Sequence, residues 1–157
     1  MVAHVRNASR RWMYSGKHPN RVADYLNRAT AALAAGGIGP KRLAKLEVRG
    51  RRTGRRQSLP VVIADYDGHR YLVAMLGGEA NWVRNVRAAG GRASLRHGRR
   101  EHVVLKEIDA RMRAPILRRY LEVAPGARAH LPIGRRAPLE QFDQIAEQYP
   151  VFEVCVE

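Results

Sequence analysis

The segment LEVRGRRTGRRQSLPVVIADYDGHRYLVAML, residues Leu46–Leu76, decides the fold class. Leu46 and Val48 alternate with Lys45, Glu47 and Arg49, which is the period of a half-buried strand. A turn rich in arginine follows: five arginines fill the eight positions from Arg49 to Arg56, interrupted by Gly50, Thr53 and Gly54. Ser58 to Ala64 reads as a second strand with more continuous apolar character. Asp67-Gly68 is a strong hairpin signal, and Tyr71 to Leu76 is the third strand. Strands joined by such tight turns pair antiparallel, since a parallel pair needs a long crossover.

The pattern continues on both sides. Upstream, Asn20 caps a helix to about Ala35, with Val22, Leu26, Ala29 and Leu33 on one face, and Gly36-Gly37 stops it. Downstream, Gly77-Gly78 breaks the third strand. Asn81 to Ala89 is then helical, with Trp82, Val83 and Val86 on one side. Arg92–His97 and Arg100–Ile108 form a hairpin around Gly98. Asp109 caps a helix to roughly Glu122, in which Pro115 marks either a kink or the true first turn. Residues 123–137 are loop-like, Pro138 to Gln148 is a short helix, and Val151–Val156 is the last strand. The expected fold is mainly β. Six short antiparallel strands close a small barrel, with the last strand sealing it, and flanking helices give it an α+β appearance.

With 157 residues, 45% of them hydrophobic, the chain suits one domain, taken as residues 21–157, preceded by a basic arm over residues 1–20. No apolar stretch approaches the ~20 residues of a membrane span. Met1–Arg11 is followed by no apolar signal segment, so a cytoplasmic location is expected. The arm, with Trp12-Met13-Tyr14, is compatible with peripheral contact to a membrane. Cys155 is the only cysteine, which excludes an internal disulfide and a cysteine-rich metal site. The formal charge of +15 points to an anionic partner, although an arginine-biased, alanine- and glycine-rich composition accounts for part of it.

The common catalytic signatures are absent: no GxxxxGK[ST], no GxGxxG after a strand, no HExxH and no GxSxG. The six histidines lack ligand spacing, so no metal site is expected and no catalytic residue is nominated. Two stretches have better claims. In Gly50-Arg51-Arg52-Thr53-Gly54-Arg55 the glycines permit positive φ and expose successive N–H groups, a concave nest suited to phosphate. Thr53 adds a hydroxyl, and arginine adds bidentate contacts to phosphate or carboxylate. The other reading of this turn is a solvated hairpin. The second stretch is Ala74-Met75-Leu76-Gly77-Gly78 followed by Asn81-Trp82. Small residues at a strand end let a flat ring approach the backbone, with Trp82 beside it. Alternatively Trp82 anchors the helix to the core and Asn81 is its N-cap. Asn85, one turn on, is placed to bridge loop backbone.

In combination, the G-R-R-T-G turn, the proline-containing strand and the W-x-x-N helix resemble the deazaflavin-dependent nitroreductase family of actinobacteria. The resemblance runs on through ASLRHGRREHVVL and APILRRYLEVAPGARAH to YPVFEV, covering roughly residues 20–157. It implies a split-barrel oxidoreductase using coenzyme F-420, a flat deazaflavin with a phosphodiester and an oligoglutamate tail. The basic turn, carried over onto Arg51, Arg52, Thr53, Gly54 and Arg55, would hold the phosphate and tail. Ala74, Met75, Leu76 and Gly77 would line the ring, Trp82 and Asn81 would stand near it, and Pro60 matches the proline of the second strand. Gly77 replaces a lysine and Gln57 an arginine common in the family, so tail contacts shift to Arg56 or Arg84. Tyr120 and Tyr149 are loose counterparts of the family's substrate-facing tyrosines.

The resemblance thus implies hydride transfer from reduced F-420 to a small organic acceptor: a quinone, an activated alkene or a nitro compound. A split barrel using FMN is the alternative, though FMN lacks the tail that this many arginines would grip. A nucleic-acid-binding barrel is disfavoured, because aromatics are only 6% of the chain and no strand carries a row of them. A carrier without turnover shares every sequence feature with the enzyme. A monomer and a homodimer are both compatible.

Overall fold

The computed structural model describes residues 41–157. The arm expected over residues 1–20 and the helix expected from Asn20 to about Ala35 lie outside the described residues. Seven strands form one sheet: β1 (Leu43–Arg49), β2 (Arg56–Val62), β3 (Ala64–Tyr66), β4 (His69–Val73), β5 (Arg92–His97), β6 (Arg99–Glu107) and β7 (Val151–Val156). All pairings are antiparallel, and the spatial order is β2-β1-β5-β6-β7-β4-β3.

β2 and β3 stand at opposite ends of that order, yet Ile63 alone separates them in the chain. A flat sheet of seven strands would hold its outer strands about 29 Å apart, at about 4.8 Å per step. One residue spans at most ~3.6 Å. The sheet therefore curls until its two edges meet at Ile63. The expected strand Ser58–Ala64 is one bent run whose first part pairs with β1 and whose last part pairs with β4. This is why six expected strands are seven by pairing and still describe a split barrel.

Two apolar layers follow from the period of two along the strands. Leu46 and Val48 of β1, Leu72 of β4, Leu95 of β5, Val103 and Leu105 of β6 and Phe152 of β7 fill the barrel, and helix α1 (Asn81–Ala88) adds Val83 and Val86. Tyr71 and Val73 point the other way. With Ala64 and Val151 they pack under helices α2 (Ala114–Val123) and α3 (Leu139–Ile145), against Leu117, Leu121 and Phe142. Gly91 makes the tight passage from α1 into β5. Its φ is +86°, and a Cβ there would lie 2.5 Å from the Leu105 carbonyl oxygen.

Several boundaries differ from expectation. The third strand ends at Val73 instead of Leu76, because the Met75 N–H turns back to the Val73 carbonyl at 3.2 Å instead of reaching across to a neighbouring strand. The N-cap of α1 is Ala80, not Asn81, which occupies the first helical position. The helix expected from Asp109 starts later. The Asp109 carboxylate accepts from the Arg111 N–H at 2.9 Å and begins a short 3-10 turn, Ala110–Met112. Pro115 then sits in the first turn of α2, where its missing N–H costs nothing. The loop expected over residues 123–137 contains a 3-10 segment, Pro125–Ala129. Among the described residues no helix is long and apolar enough to cross a membrane.

Candidate functional site

Beyond the bend at Ile63 the outer edge of β2 and the chain after β4 do not pair, and the gap between them is the candidate slit. The Ile63 N–H donates to the Arg42 carbonyl at 2.8 Å, and the Gly50 N–H donates to the Arg55 carbonyl at 2.8 Å. These bonds fix the phase of the β1–β2 ladder, because backbone groups alternate direction along a strand. Gln57, Leu59 and Val61 bond towards β1. Arg56, Ser58, Pro60 and Val62 direct their backbone groups away from it, and among the described residues no strand pairs with that edge. Pro60 thus sits where its missing N–H breaks no ladder bond.

The opposite wall is the chain after β4. The β3–β4 register pairs Ala64 with Tyr71. Continued in steps of two, it would set Val62 opposite Val73, Pro60 opposite Met75 and Ser58 opposite Gly77. It does not continue. The Met75 N–H turns back to the Val73 carbonyl at 3.2 Å, and the Gly77 N–H to the Ala74 carbonyl at 3.0 Å. Gly77 has φ +89°, and a Cβ there would lie 3.4 Å from the Gln148 carbonyl oxygen. Met75 packs into the outer layer with Val62 and Tyr149, whereas Leu76 packs into the barrel layer with Leu59 and Trp82.

The basic turn lies at the start of β2. The Gly54 N–H closes on the Gly50 carbonyl at 2.9 Å with Gly54 at φ +71°, and the Arg55 N–H donates to Thr53 Oγ1 at 3.2 Å. The Arg49 guanidinium lies across Gly54, whose added Cβ would be 3.4 Å from Arg49 Nη2. Asn85, only 5% exposed, accepts from the Arg51 backbone N–H at 3.1 Å and from Arg51 Nη1 at 2.8 Å. One α1 side chain therefore fixes the turn, and the same helix carries Asn81 and Trp82. Trp82 packs on Phe152 with ring centroids 5.6 Å apart, so its role as an anchor to the core is realised.

The arginines divide into engaged and open ones. Glu47, 4% exposed, takes Arg56 Nη1 at 3.2 Å and Arg100 Nη2 at 3.3 Å. Arg84 pairs with Glu79. Arg52 and Arg55 are exposed and have no carboxylate partner among the described residues. Arg56 and Arg84, the two expected substitutes for the missing lysine and arginine, are thus already shared with carboxylates of this chain.

The bend, Pro60, Ala74–Gly77 and the basic turn thus lie along one strand and its facing wall. Asn81 and Trp82 are tied to them through Asn85. Of the two tyrosines, Tyr120 is buried on the core-facing side of α2, while Tyr149 is half-buried against the same outer layer as Met75. The Tyr149 hydroxyl donates to the His130 carbonyl at 3.4 Å, and burial raises its pKa above the usual phenol value. Arg113 and the outward backbone of Ser58 and Val62 were not among the expected site residues. The position of Pro60 was a signal for the last of these. Arg113 meets mainly backbone carbonyls of distant segments, and no sequence pattern marks such a partner set.

The sequence profile described as F-420H(2)-dependent quinone reductase matches residues 20–132, which include the basic turn, both walls of the slit up to Gly77, and α1. No curated protein matches the chain. Among solved structures, one from Agrobacterium tumefaciens, of unknown function, has a TM-score of 0.55 at 15% identity, covering 82% of this chain and 54% of its own. A structure described as a domain-swapped dimer has a TM-score of 0.52 at 18% identity over 85% and 93% of the two chains. The F-420-H2 dependent reductase FDR-A has a TM-score of 0.49 at 18% identity over 73% and 94%. Identities this low speak for a shared fold alone.

Proposed function

Since the chain belongs to the F-420H(2)-dependent quinone reductase family and is an oxidoreductase dependent on coenzyme F-420, we propose that it passes a hydride from the reduced cofactor to a small quinone-like acceptor. The observation that carries this is the continuity of an open backbone edge and a basic turn on one strand. A ligand with a flat head and a long anionic tail has both features in the same order.

The residues present fit such a group. A planar ring needs two close walls and in-plane backbone partners. Pro60 with the outward groups of Ser58 and Val62 supplies one wall, and Ala74, Met75, Leu76 and Gly77 supply the other. A phosphate and carboxylates need open cations, and in the turn Arg52 and Arg55 are exposed with no carboxylate partner among the described residues. Arg51 and Thr53, with Gly54, shape the turn and add donors. When bound, the deazaflavin supplies a two-electron hydride donor; orientation and electrostatics are the protein's part. Val62, Met75 and Leu76 exclude water from the slit. Trp82 stands on Phe152 in the same barrel layer as Leu76. Arg56 supports the turn through Glu47, and Asn81 starts the helix that fixes it. A quinone-like acceptor would stack on the ring face left uncovered. Of the compatible assembly states, a dimer has the support of a structural neighbour described as a domain-swapped dimer.

The test is a fluorescence titration of purified protein with oxidised F-420, with FMN and a single-stranded oligonucleotide run in parallel. Saturable binding of F-420, weakened more than tenfold in Arg52→Ala/Arg55→Ala at unchanged melting temperature, is expected; each lost charge-assisted contact is worth about 1.5–3 kcal/mol. Preference for FMN, or unchanged affinity in a folded double variant, would refute the assignment.

A further inference from the structure

We propose that Arg113 is a positioning residue that holds the wall of the slit formed by residues 74–78, acting through the segment 146–150. The inference deepens the reading above and rests on the slit being the place of the cofactor ring.

Arg113 immediately precedes α2 and is 6% exposed. A buried guanidinium is costly unless its donors are met. Here Nε donates to the Ile108 carbonyl at 3.0 Å, and Nη1 to the Ala146 carbonyl at 3.0 Å and the Tyr149 carbonyl at 3.5 Å. Nη2 reaches Glu107 Oε2 at 3.3 Å. The guanidinium fork thus gathers the carbonyls of residues 146 and 149 on one side of their segment. The adjoining carbonyls of Gln148 and Pro150 meet residues 74–78. Pro150 accepts from the Ala74 N–H at 2.9 Å, and the Gln148 oxygen borders the Cβ position of Gly77.

A second branch reaches the same wall. Glu107 takes Arg87 Nε at 2.8 Å and Nη2 at 3.0 Å, and an added Cβ at Gly78 would lie 3.7 Å from Arg87 Nη1 and 3.5 Å from Pro150 Cγ. Residues 74–78 are therefore held from two directions that converge on Arg113. An apolar side chain of the same length would fill the space, but it would not orient the carbonyls. The directional donors are what the slit wall uses.

The test compares Arg113→Lys and Arg113→Met with the wild type by amide hydrogen exchange, F-420 titration and a split of KM from kcat. Lysine keeps the charge and part of the donor set; methionine keeps only the stem. Exchange at residues 74–78 is expected to quicken about tenfold in Arg113→Met while the β5–β6 hairpin is unchanged, with F-420 affinity falling by a similar factor. KM for the cofactor rises more than kcat falls, and lysine restores part of both. If methionine prevents folding, Glu107→Gln reads the second branch alone, with a smaller effect of the same sign. Unchanged exchange at 74–78, or quickened exchange with unchanged affinity, overturns the proposal. A wild-type protein that does not bind F-420 overturns the proposed function itself, while exchange still decides whether Arg113 holds the wall.

Discussion

Asn85→Ala removes the bond that fixes the basic turn to α1, and its effect follows from the partners. The Arg51 backbone N–H loses a neutral acceptor, worth about 1 kcal/mol, and the Arg51 guanidinium loses one worth about 1.5–3 kcal/mol. Arg51 is half-exposed, so water replaces part of this, and a net loss of about 2 kcal/mol is expected. In urea that is a midpoint lower by about 1 M, for a slope near 2 kcal/mol per M. If the turn must reorder on each binding event, the same energy weakens F-420 binding about 30-fold. Asn85→Asp separates the two effects. It keeps both acceptors and adds a charge beside Arg51, so folding holds within about 1 kcal/mol while anion affinity still falls. Urea denaturation and fluorescence titration on the same samples give both readouts. An Asn85→Ala protein that binds F-420 as tightly as the wild type would show that Asn85 contributes nothing to the binding geometry of the turn.

Three more perturbations follow from single sites. Gly91→Ala sets a Cβ 2.5 Å from the Leu105 carbonyl at φ +86°, so destabilisation of about 2–4 kcal/mol is expected in urea, and a change under about 1 kcal/mol would contradict the packing. Gly77→Val combines a φ of +89° with bulk in the slit; turnover is expected to vanish with only modest loss of melting temperature, and retained turnover would mean that the ring lies elsewhere. Asp65 is hydrogen-bonded by Arg42 and Arg119, which hold its pKa at about 2 against an ordinary 3.8. A depressed folded pKa stabilises above the ordinary value and is lost as pH falls from about 4 to about 2. Asp65→Asn should flatten that part of the acid limb, by a small amount because the pair is exposed to solvent. An unchanged acid profile would assign the slope to Glu101 and Glu107, whose arginine partners lower them in the same way.

The strands were legible because their signals are local. Leu46 and Val48 alternate, Asp67-Gly68 and Gly98 turn the chain, and each hairpin lies where the sequence sets it. The bend at Ile63 was not legible, since only the meeting of two distant sheet edges forces it. The basic turn and the strand end were identifiable as residue types suited to a phosphate and a flat ring. Their division of labour was not. Arg56 and Arg84 look as open as Arg52 in the sequence, yet Glu47 and Glu79 neutralise them through contacts set by tertiary structure. Asn81 illustrates the reverse case: its cap propensity is real, but the chain enters the helix one residue earlier, at Ala80.

The strand order has a consequence for how the chain is made. β7 is the last of the seven strands to be synthesised, yet it lies between β6 and β4 and bonds to both. Until Val151–Val156 has left the ribosome, β6 and β3–β4 have no common neighbour, and the barrel interior around Leu72 and Leu105 stays uncovered on that side. The slit wall is also unfinished, because Ala74 waits for the Pro150 carbonyl. Nascent chains of this fold therefore carry an open sheet edge through most of their synthesis, the state in which strands pair with the wrong partner.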